Sequence, residues 1–469
     1  MKKVIVSCLF GVAVLLSSGC RPDEGIWWSP DGRVAAVRAP DGLRLADAEG
    51  ALSAPVVEGE IQSANWLPDG SALLVSRGYM AKDWSAAEKL IPSEEAAVTR
   101  QMAAAMPDLL RAALITSGGS LDDIEKTFLK PLGLTLVGDE LESVFRCALA
   151  LRREKILAAI AGFPKSKELE TKILGETNAI TIHEILLLPF KEGKVSGEPR
   201  AVSRSLRPLA DPVISPDGDV LAYVAGRGAL KAMTLDGKSR FTVADGNVHS
   251  AVWTADGRAL VYVMMRDPDE SIVGEIRSHK VVSEKGTLLS DENGPHPDTI
   301  ALATFNAAAG NKPRMRTLPD GRILLATMPV NLPARVGSIA PREQFFFLDV
   351  TKADLPLVPV EVTEGSLPAD LSAFSVSPDG KWVAVVEAQT DVVAVMQLAT
   401  GKVEMISPAR GGKSRLIPAW RNNRELSFAA LPGEAGSRTE LLIWKAHAPA
   451  RVLSKGWPEE VVKGWLEGK

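Results

Sequence analysis

A chain of 469 residues with 46% hydrophobic and 24% charged residues has enough apolar side chains for a large buried core, which excludes a disordered protein. Its formal net charge of −4 excludes the strongly basic surface that nucleic-acid binding requires.

The first twenty residues have the pattern of a bacterial lipoprotein leader. Two lysines precede an apolar run from Val4 to Leu16, which is too short to span a bilayer. The stretch Leu15–Cys20 resembles a lipobox, in which the cysteine is acylated and becomes the mature N-terminus. We therefore expect a signal peptide over residues 1–19 and lipidation, palmitate included, at Cys20. An ordinary secretory leader that is cut near the same place is the alternative.

The number of cysteines agrees with an exported lipoprotein. Cys8 leaves with the leader and Cys20 is the expected lipid site, so Cys147 is left alone and no disulfide framework is predicted. Arg21 follows Cys20, and the aspartate that signals inner-membrane retention is absent at that position. These residues predict an outer-membrane lipoprotein of the cell envelope, on its periplasmic or its surface side.

A tether over residues 20–25 leads into a repeat that recurs along most of the chain. The repeat has a few apolar residues, a Ser-Pro-Asp-Gly tetrad or a close variant, a polar residue and an apolar run. The aspartates and glycines of its six copies are Asp31 and Gly32, Asp69 and Gly70, Asp217 and Gly218, Asp256 and Gly257, Asp320 and Gly321, and Asp379 and Gly380.

The tetrad predicts a tight turn between two strands. Proline pre-sets φ for the second place of a type I turn, and glycine adopts the positive φ that lets a hairpin continue. In several copies a second turn follows about twenty residues later, as at Gly401 after Gly380, which predicts a four-stranded meander. Repeated meanders predict an all-β propeller of four-stranded antiparallel blades over residues 26–78 and 179–457. A worn copy at Arg421–Arg424 makes seven blades, with six as the alternative.

The second blade is interrupted by residues 79–178, where the apolar spacing changes to that of helices. Apolar residues recur at helical intervals around Met106 and Ala148, which predicts an α-helical insertion of three to five helices. Pro107 is expected to kink or split the first long helix. The apolar stripes favour a core of the insertion's own, with a groove for a partner as the alternative.

The later blades are regular apart from one polar loop and the end of the chain. Asp291, Glu292, His296 and Asp298 in that loop are a weak candidate for calcium binding, and a plain polar loop is the favoured interpretation. A C-terminal helix is predicted within residues 458–469. Because the N-terminus offers no strand for the last blade, we expect the ring to close by packing between the terminal blades.

The tetrad followed by an apolar strand resembles the WD40-like repeats of the TolB family, which also occur in the propeller of prolyl-oligopeptidase-type peptidases. The resemblance covers about 330 residues outside the insertion and implies a β-propeller. An α/β domain like the one that precedes the propeller in TolB is absent from this sequence, and the insertion is not part of the family pattern.

The sequence carries no pattern of a known active site. No Gly-x-Ser-x-Gly elbow follows the propeller, and the five histidines lack metal-ligand spacing. We interpret the tetrad aspartates as turn residues that accept backbone hydrogen bonds, and six tryptophans on early strands as packing between blades. Four arginines are weak candidates to line a funnel for an acidic ligand, against the interpretation that they are solvated: Arg314, Arg316, Arg342 and Arg410.

The favoured hypothesis is a membrane-anchored, non-catalytic scaffold that needs no cofactor and no metal. It would bind a partner protein or an envelope component through one face of the ring or through the insertion. A hydrolase or lyase with its site in the central funnel is one alternative. A sensor of a small ligand or metal is the other.

Overall fold

The computed structural model describes most of the chain from Glu24 to Trp457. The described residues are 24–116, 139–162, 166–175, 177–226, 228–265, 273–283, 286–289, 299–306, 313–328, 343–351, 357–368, 371, 373–386, 392–406, 417–430, 439–446 and 448–457. The expected leader, Cys20, the calcium loop candidate and the C-terminal helix lie outside these residues.

The strands form seven antiparallel sheets, each built in chain order from its innermost strand outward. Strands of β-branched and apolar residues bury both faces, as Val383, Ala384 and Val385 do, because each sheet has another sheet on either side. The first three sheets contain β1 (Ile26–Trp28), β2 (Ala35–Ala39), β3 (Gly42–Ala46), β4 (Val57–Glu58); β5 (Glu60–Trp66), β6 (Ala72–Ala81), β7 (Ile180–Lys191), β8 (Lys194–Val195), β9 (Arg200–Ser205); β10 (Leu209–Ile214), β11 (Val220–Ala225), β12 (Ala229–Thr234) and β13 (Arg240–Ala244).

The remaining four sheets repeat the same order. They contain β14 (Val248–Trp253), β15 (Ala259–Met264), β16 (Val273–Lys280), β17 (Thr299–Asn306); β18 (Arg314–Thr317), β19 (Ile323–Thr327), β20 (Gln344–Leu348), β21 (Val358–Pro359); β22 (Phe374–Val376), β23 (Trp382–Val386), β24 (Val393–Gln397), β25 (Lys402–Ile406); β26 (Ala419–Trp420), β27 (Glu425–Ala430), β28 (Thr439–Lys445) and β29 (Ala448–Trp457). In the second sheet β8 is a short extra strand, and β9 pairs with β7 as the fourth.

The sheets are the blades of one closed ring. Each innermost strand contacts the innermost strands of the two neighbouring sheets, and β26 contacts β1 to complete the circle. Seven separate apolar clusters fill the seven spaces between adjacent blades. The expected seven-bladed propeller is therefore confirmed, and the six-bladed alternative is wrong.

The ring closes between its first and last blades by packing and hydrogen bonding. Blade seven takes all four strands from residues 419–457. Trp457, 3% exposed, lies in one apolar cluster with blade one, and its indole N–H donates to Gly50 O at 2.9 Å. The indole N–H of Trp28 donates to the buried Ser427 Oγ at 2.7 Å. The expectation of closure by packing agrees with these contacts.

Tryptophans at the end of four inner strands hold neighbouring blades together. Trp66 donates to Trp27 O at 2.9 Å, and Trp253 donates to Val213 O at 3.2 Å, in each case on the blade before. Trp420 makes the same bond to Ser375 O at 3.4 Å. Two of the six tryptophans that we predicted at matching positions are placed differently. Trp27 lies one residue before Trp28, the last residue of β1, and Trp382 lies on β23, the second strand of its blade.

The tetrads turn the chain between the first and second strands. Asp31 accepts hydrogen bonds from Ser29 Oγ at 2.6 Å and from the Arg33 N–H at 3.1 Å, and Asp379 accepts the same pair from Ser377 and Lys381. All six tetrad glycines have φ between 67° and 89°. We call the end of the ring that carries these turns the tetrad face.

Consecutive tetrads also contact each other around the ring. A Cβ added to Gly380 would lie 2.6 Å from Pro319 Cδ of the preceding tetrad, and one on Gly257 would lie 3.3 Å from Pro216 Cδ. Gly321 is different, because the tetrad before it has Ala255 in the place of proline and nothing lies within 4 Å. Each of these prolines therefore shapes its own turn and packs against the glycine of the next tetrad.

We expect Ala255→Pro to stabilise the protein by about 0.4–1 kcal/mol. Proline restricts the unfolded chain, five other tetrads show that it fits this turn, and the space beside Gly321 is open to receive it. Thermal unfolding measures the gain. Gly321→Ala is the control: it meets no atom but requires a positive φ of 89°, so it should destabilise.

The described residues between strands β6 and β7 of blade two form four helices. They are α1 (Trp84–Glu88), α2 (Ser93–Thr116), α3 (Asp139–Ile160) and α4 (Ser166–Gly175). Pro107 lies inside α2 without splitting it, so the predicted split is wrong, and the non-helical residue is Arg152 in α3. Met106 and Leu110 of α2 pack on Ala148 and Leu149 of α3, so the apolar stripes bury each other.

The helices also pack on the end of blade two. Trp84, Ile91 and Cys147 share an apolar cluster with Ile180 and Ile182 of β7. In an antiparallel meander the second strand ends opposite the tetrad turn, so the helices extend from the other end of the ring. We call that end the helix face; it also carries the start of each innermost strand.

Candidate binding site in the central channel

The innermost strands of the blades surround a central channel. The cavity has a volume of about 850 Å³ and is lined by residues of all seven innermost strands or of the segments just before them. Its wall combines tryptophan and proline side chains with a small set of polar groups, a composition common to ligand-binding cavities.

Three neighbouring inner strands are irregular where they line the channel. The strand register shifts between Ile61 and Ser63 in β5, between Ala210 and Val213 in β10, and between Val248 and Ser250 in β14. A β-bulge changes the direction of a side chain, and bulges are frequent beside functional sites. The residues within these shifts that line the cavity are Gln62, Asp211, Pro212 and His249.

The backbone at two of these bulges is strained. Asp211 has φ of 48° and Asn247 has φ of 58°, values that residues other than glycine seldom adopt. Such conformations cost about 1–3 kcal/mol and persist where the surrounding structure holds them. The conformation of Asp211 makes this side of the channel a candidate functional site.

Two arginines and one glutamate form an ionic cluster on the blade-five side. Arg314 and Arg316 are two residues apart on β18, so both side chains leave the same face of the strand. Glu24, from the segment before β1, accepts a hydrogen bond from Arg316 Nη2 through Oε1, and Arg314 Nη1 lies 3.9 Å from the same oxygen. Its Oε2 accepts from the indole N–H of Trp27 at 3.0 Å. The cluster fastens the N-terminal segment to the far side of the ring.

The charges around Glu24 set its protonation. Burial raises the pKa of the carboxyl group, but Arg316, Arg314, the hydrogen bond from Trp27 and Arg38 together outweigh it, and the pKa lies below its usual value of 4.5. The carboxylate is therefore ionised at neutral pH and fully able to hold both arginines.

We expect this cluster to contribute stability that depends on pH. Because the pKa of Glu24 is lower in the folded state, its contribution is present above about pH 4.5 and is lost as the pH falls through the folded-state pKa. Glu24→Gln should destabilise by about 1–2 kcal/mol at pH 7, since the side chain is 31% exposed and partly solvated. Urea unfolding of both proteins from pH 7 to pH 3 should show this difference shrinking toward zero, and a constant difference would contradict the ion-pair account.

A second ionic cluster lies in blade two, where the blade meets the helices. Glu184 is 1% exposed and accepts hydrogen bonds from Arg77 Nε and from Arg204 Nε, both at 2.8 Å. Next to Arg204 along the chain, Ser205 Oγ donates to Glu95 of α2 at 2.8 Å. Burial and the charge of Glu184 raise the pKa of the nearby Tyr79. The cluster therefore connects the helices, through Arg204 of β9 and Glu184 of β7, to Arg77 of β6, the strand that pairs with the innermost strand β5.

The structure brings together part of what the sequence suggested. Arg314 and Arg316 line the channel, whereas Arg342 and Arg410 lie outside the described residues. The tetrad acids lie in turns on the tetrad face and form no part of the channel wall. His249 does line the channel, although its place in the sequence suggested no role, and Glu24, Gln62 and Asp211 were missed altogether. The one available signal was the Asp211-Pro212 pair in a strand, because proline inside a strand is typical of a bulge.

The cysteine and a buried histidine lie away from the channel wall in the described part of the chain. Burial, with the nearby Glu95, raises the pKa of Cys147 to about 12, so its thiol stays protonated. His279 is 4% exposed, with Nδ1 2.6 Å from Thr299 Oγ1. Within the ranges given above, no three histidine, cysteine or carboxylate side chains come close enough to hold a metal ion. None of the described helices has the length and apolar content to cross a bilayer.

Comparisons with known proteins give likenesses of fold. No protein-family model matches the chain, and no curated protein matches it in sequence. The β-propeller domain of Swd1 from Myceliophteria thermophila has a TM-score of 0.46 at 11% identity, over 91% of this chain and 96% of that one. A TolB from Agrobacterium tumefaciens gives 0.34 at 14% identity, over 55% and 84%.

A puromycin hydrolase gives a TM-score of 0.46 at 13% identity, over 93% of this chain and 54% of the hydrolase chain. At such identities these likenesses say nothing about activity. The propeller itself is established by the order of strands in each sheet and by the closed ring of contacts between blades.

Proposed function

We propose that the protein is a membrane-anchored, non-catalytic scaffold that binds a partner protein on its helix face. The observation that supports this most is the position of three features on one face: the start of β1 with Glu24, the strained bulges of the channel wall, and the four helices. Each end of a propeller carries strand ends and loops from every blade, so features that share one end can contact the same partner.

The proposed anchor at Cys20 would place this face near the bilayer. Four residue steps separate Cys20 from Glu24, and an extended chain of that length reaches at most ~14 Å. Since Arg316 holds Glu24 at the channel, the ring cannot move far from the lipid on Cys20. The helix face would therefore meet partners at the membrane surface, and the tetrad face would point away.

Exposed apolar side chains support the helix side as a contact surface. Met80, Val98, Ile115 and Leu174 are 51–64% exposed, and all four belong to the helices or to the strand end from which they extend. Scattered exposed apolar residues are common on any protein, and Ile300 and Val358 on other blades are 51% and 52% exposed. Among the described residues, however, the helices and the strand end beside them carry four such side chains, more than any single blade elsewhere in the ring. We propose, on the same grounds, that residues 79–178 are a functional insertion in blade two.

Site-specific photocrosslinking in membranes tests the choice of face. A photoreactive residue at Ile115 of α2, 64% exposed, should capture a discrete partner, whereas the same residue at Arg33 of the tetrad face, whose side chain is 77% exposed, should not. Discrete capture from Arg33, with none from Ile115, would overturn the proposal.

The anchor is tested separately. The mature protein should carry acyl chains on Cys20 by mass spectrometry, and Cys20→Ser should release it from the membrane fraction while its thermal unfolding stays unchanged. An unmodified Cys20 in a chain that is cut elsewhere would refute the anchor and leave the binding face untouched.

A hydrolase or lyase is the second candidate, favoured by the bulges that bring Asp211 and His249 into one cavity. A carboxylate and an imidazole are the groups that general acid–base catalysis uses most. In that case His249→Ala would abolish turnover of the substrate, while crosslinks from Ile115 would be unaffected.

A further inference from the structure

The side chain of Glu24 occupies a site that other parts of the chain build. Its carboxylate is held by Arg316, by the Trp27 indole and, at 3.9 Å, by Arg314. Glu24 itself belongs to none of the blades, because it lies in the segment before β1. The blades therefore supply the hydrogen-bond donors, and the N-terminal segment of the same chain supplies the carboxylate that they bind.

The donors are positioned independently of Glu24. Arg316 Nη1 donates to Met315 O at 3.0 Å, and its guanidinium group lies 5.9 Å from the centre of the Phe374 ring. A guanidinium group that is fixed by its own backbone bond and by an aromatic ring is ready for planar recognition of a carboxylate. Without Glu24, two arginines that are 32% and 34% exposed would face the same cavity.

The space beside this cluster has room and polar groups for more than one side chain. The cavity of about 850 Å³ also contains Gln62 and His249 on its wall. The wall includes Ser63 as well, whose buried Oγ has no hydrogen-bond partner among the described residues. The cavity therefore offers a peptide segment further polar groups besides the two arginines.

We propose that the helix-face end of the channel is a recognition site for an acidic peptide segment of the partner, and that Glu24 is an intramolecular occupant which this segment displaces. The inference rests on the proposed binding function and names the chemistry of the partner. A peptide carboxylate is favoured over a polyanion such as nucleic acid, because the donors already hold one carboxylate and a guanidinium group recognises a carboxylate in a planar, bidentate way.

The test uses the full-length mature protein in detergent and a fluorescein-labelled peptide of six glutamates, followed by fluorescence anisotropy. Glu24→Gln should bind the peptide at least about tenfold more tightly than the wild type, because an internal competitor is lost. Adding Arg314→Gln to this variant should reverse most of the gain, as should Arg316→Lys, which keeps the charge and loses the planar donor. Binding should weaken in 0.5 M salt.

Two controls keep the result interpretable. A peptide of six glutamines should not bind, and Asp41→Asn, which removes the exposed partner of Arg44, should bind as the wild type does. Equal affinity of the wild type and Glu24→Gln, or a gain that survives both arginine replacements, would overturn the proposal. Crosslinks from Ile115 that persist after such a result would show that the partner binds elsewhere on the helix face, so the two proposals fail separately.

Discussion

Trp457→Ala is expected to destabilise the protein by about 3–5 kcal/mol. Trp457 is 3% exposed and lies in the apolar cluster that joins blade seven to blade one, with Ile26, Val37 and Leu441. Among the described strands none is shared between these two blades, so the loss of one large side chain opens a cavity at the seam between blade seven and blade one.

Chemical unfolding with hydrogen exchange measures both parts of this prediction. The free energy of unfolding should fall, and exchange should increase first in β1 and β29, the strands beside the seam. Trp457→Phe is the matched control, since it keeps most of the apolar volume and loses the bond to Gly50 O, and it should cost about 1 kcal/mol. A uniform increase in exchange around the ring would contradict a seam.

Glu184→Ala is expected to cost about 3 kcal/mol. The carboxylate is 1% exposed, and its removal leaves Arg77 and Arg204, which are 20% and 35% exposed, facing each other without the charge between them. The pair is also linked to the helices, because Ser205 beside Arg204 bonds Glu95 of α2. The substitution should therefore loosen α2 as well as blade two.

Thermal unfolding and hydrogen exchange of α2 together test this second prediction. Asp320→Asn is the control, since Asp320 pairs with Arg322 through side chains that are 49% and 45% exposed, and an exposed pair contributes less than about 1 kcal/mol. Equal losses of unfolding free energy from the two substitutions would show that the buried cluster of blade two stabilises the protein no more than an exposed ion pair does.

The sequence predicted the blades because each blade repeats local chemistry. A turn made by proline and glycine, such as Pro378 with Gly380, is encoded within four residues and needs no distant contact to be recognised. The apolar runs that follow it are equally local. Even the worn copy at Arg421–Arg424 was recognisable, because the strands on both sides of it kept their apolar pattern.

The candidate site was less predictable because it depends on relations between blades. Nothing near Glu24 in the sequence indicates Arg316, which is 292 residues away and reaches it only when the ring is closed. The bulges at Asp211 and His249 are shifts of strand register, and a shift of register is a property of a strand pair. Arg314 and Arg316 were two of four weak arginine candidates, and the sequence did not separate them from Arg342 and Arg410.

We propose that the helix face, which carries the helices and the start of β1, lies at the membrane surface. Energy transfer from a donor on the protein to acceptor lipids in vesicles tests it most directly, using the lipidated protein labelled at Val98→Cys of the helix face or at Lys238→Cys of the tetrad face, both exposed sites. The account predicts stronger transfer from position 98. Equal transfer from the two positions, or stronger transfer from position 238, would contradict it.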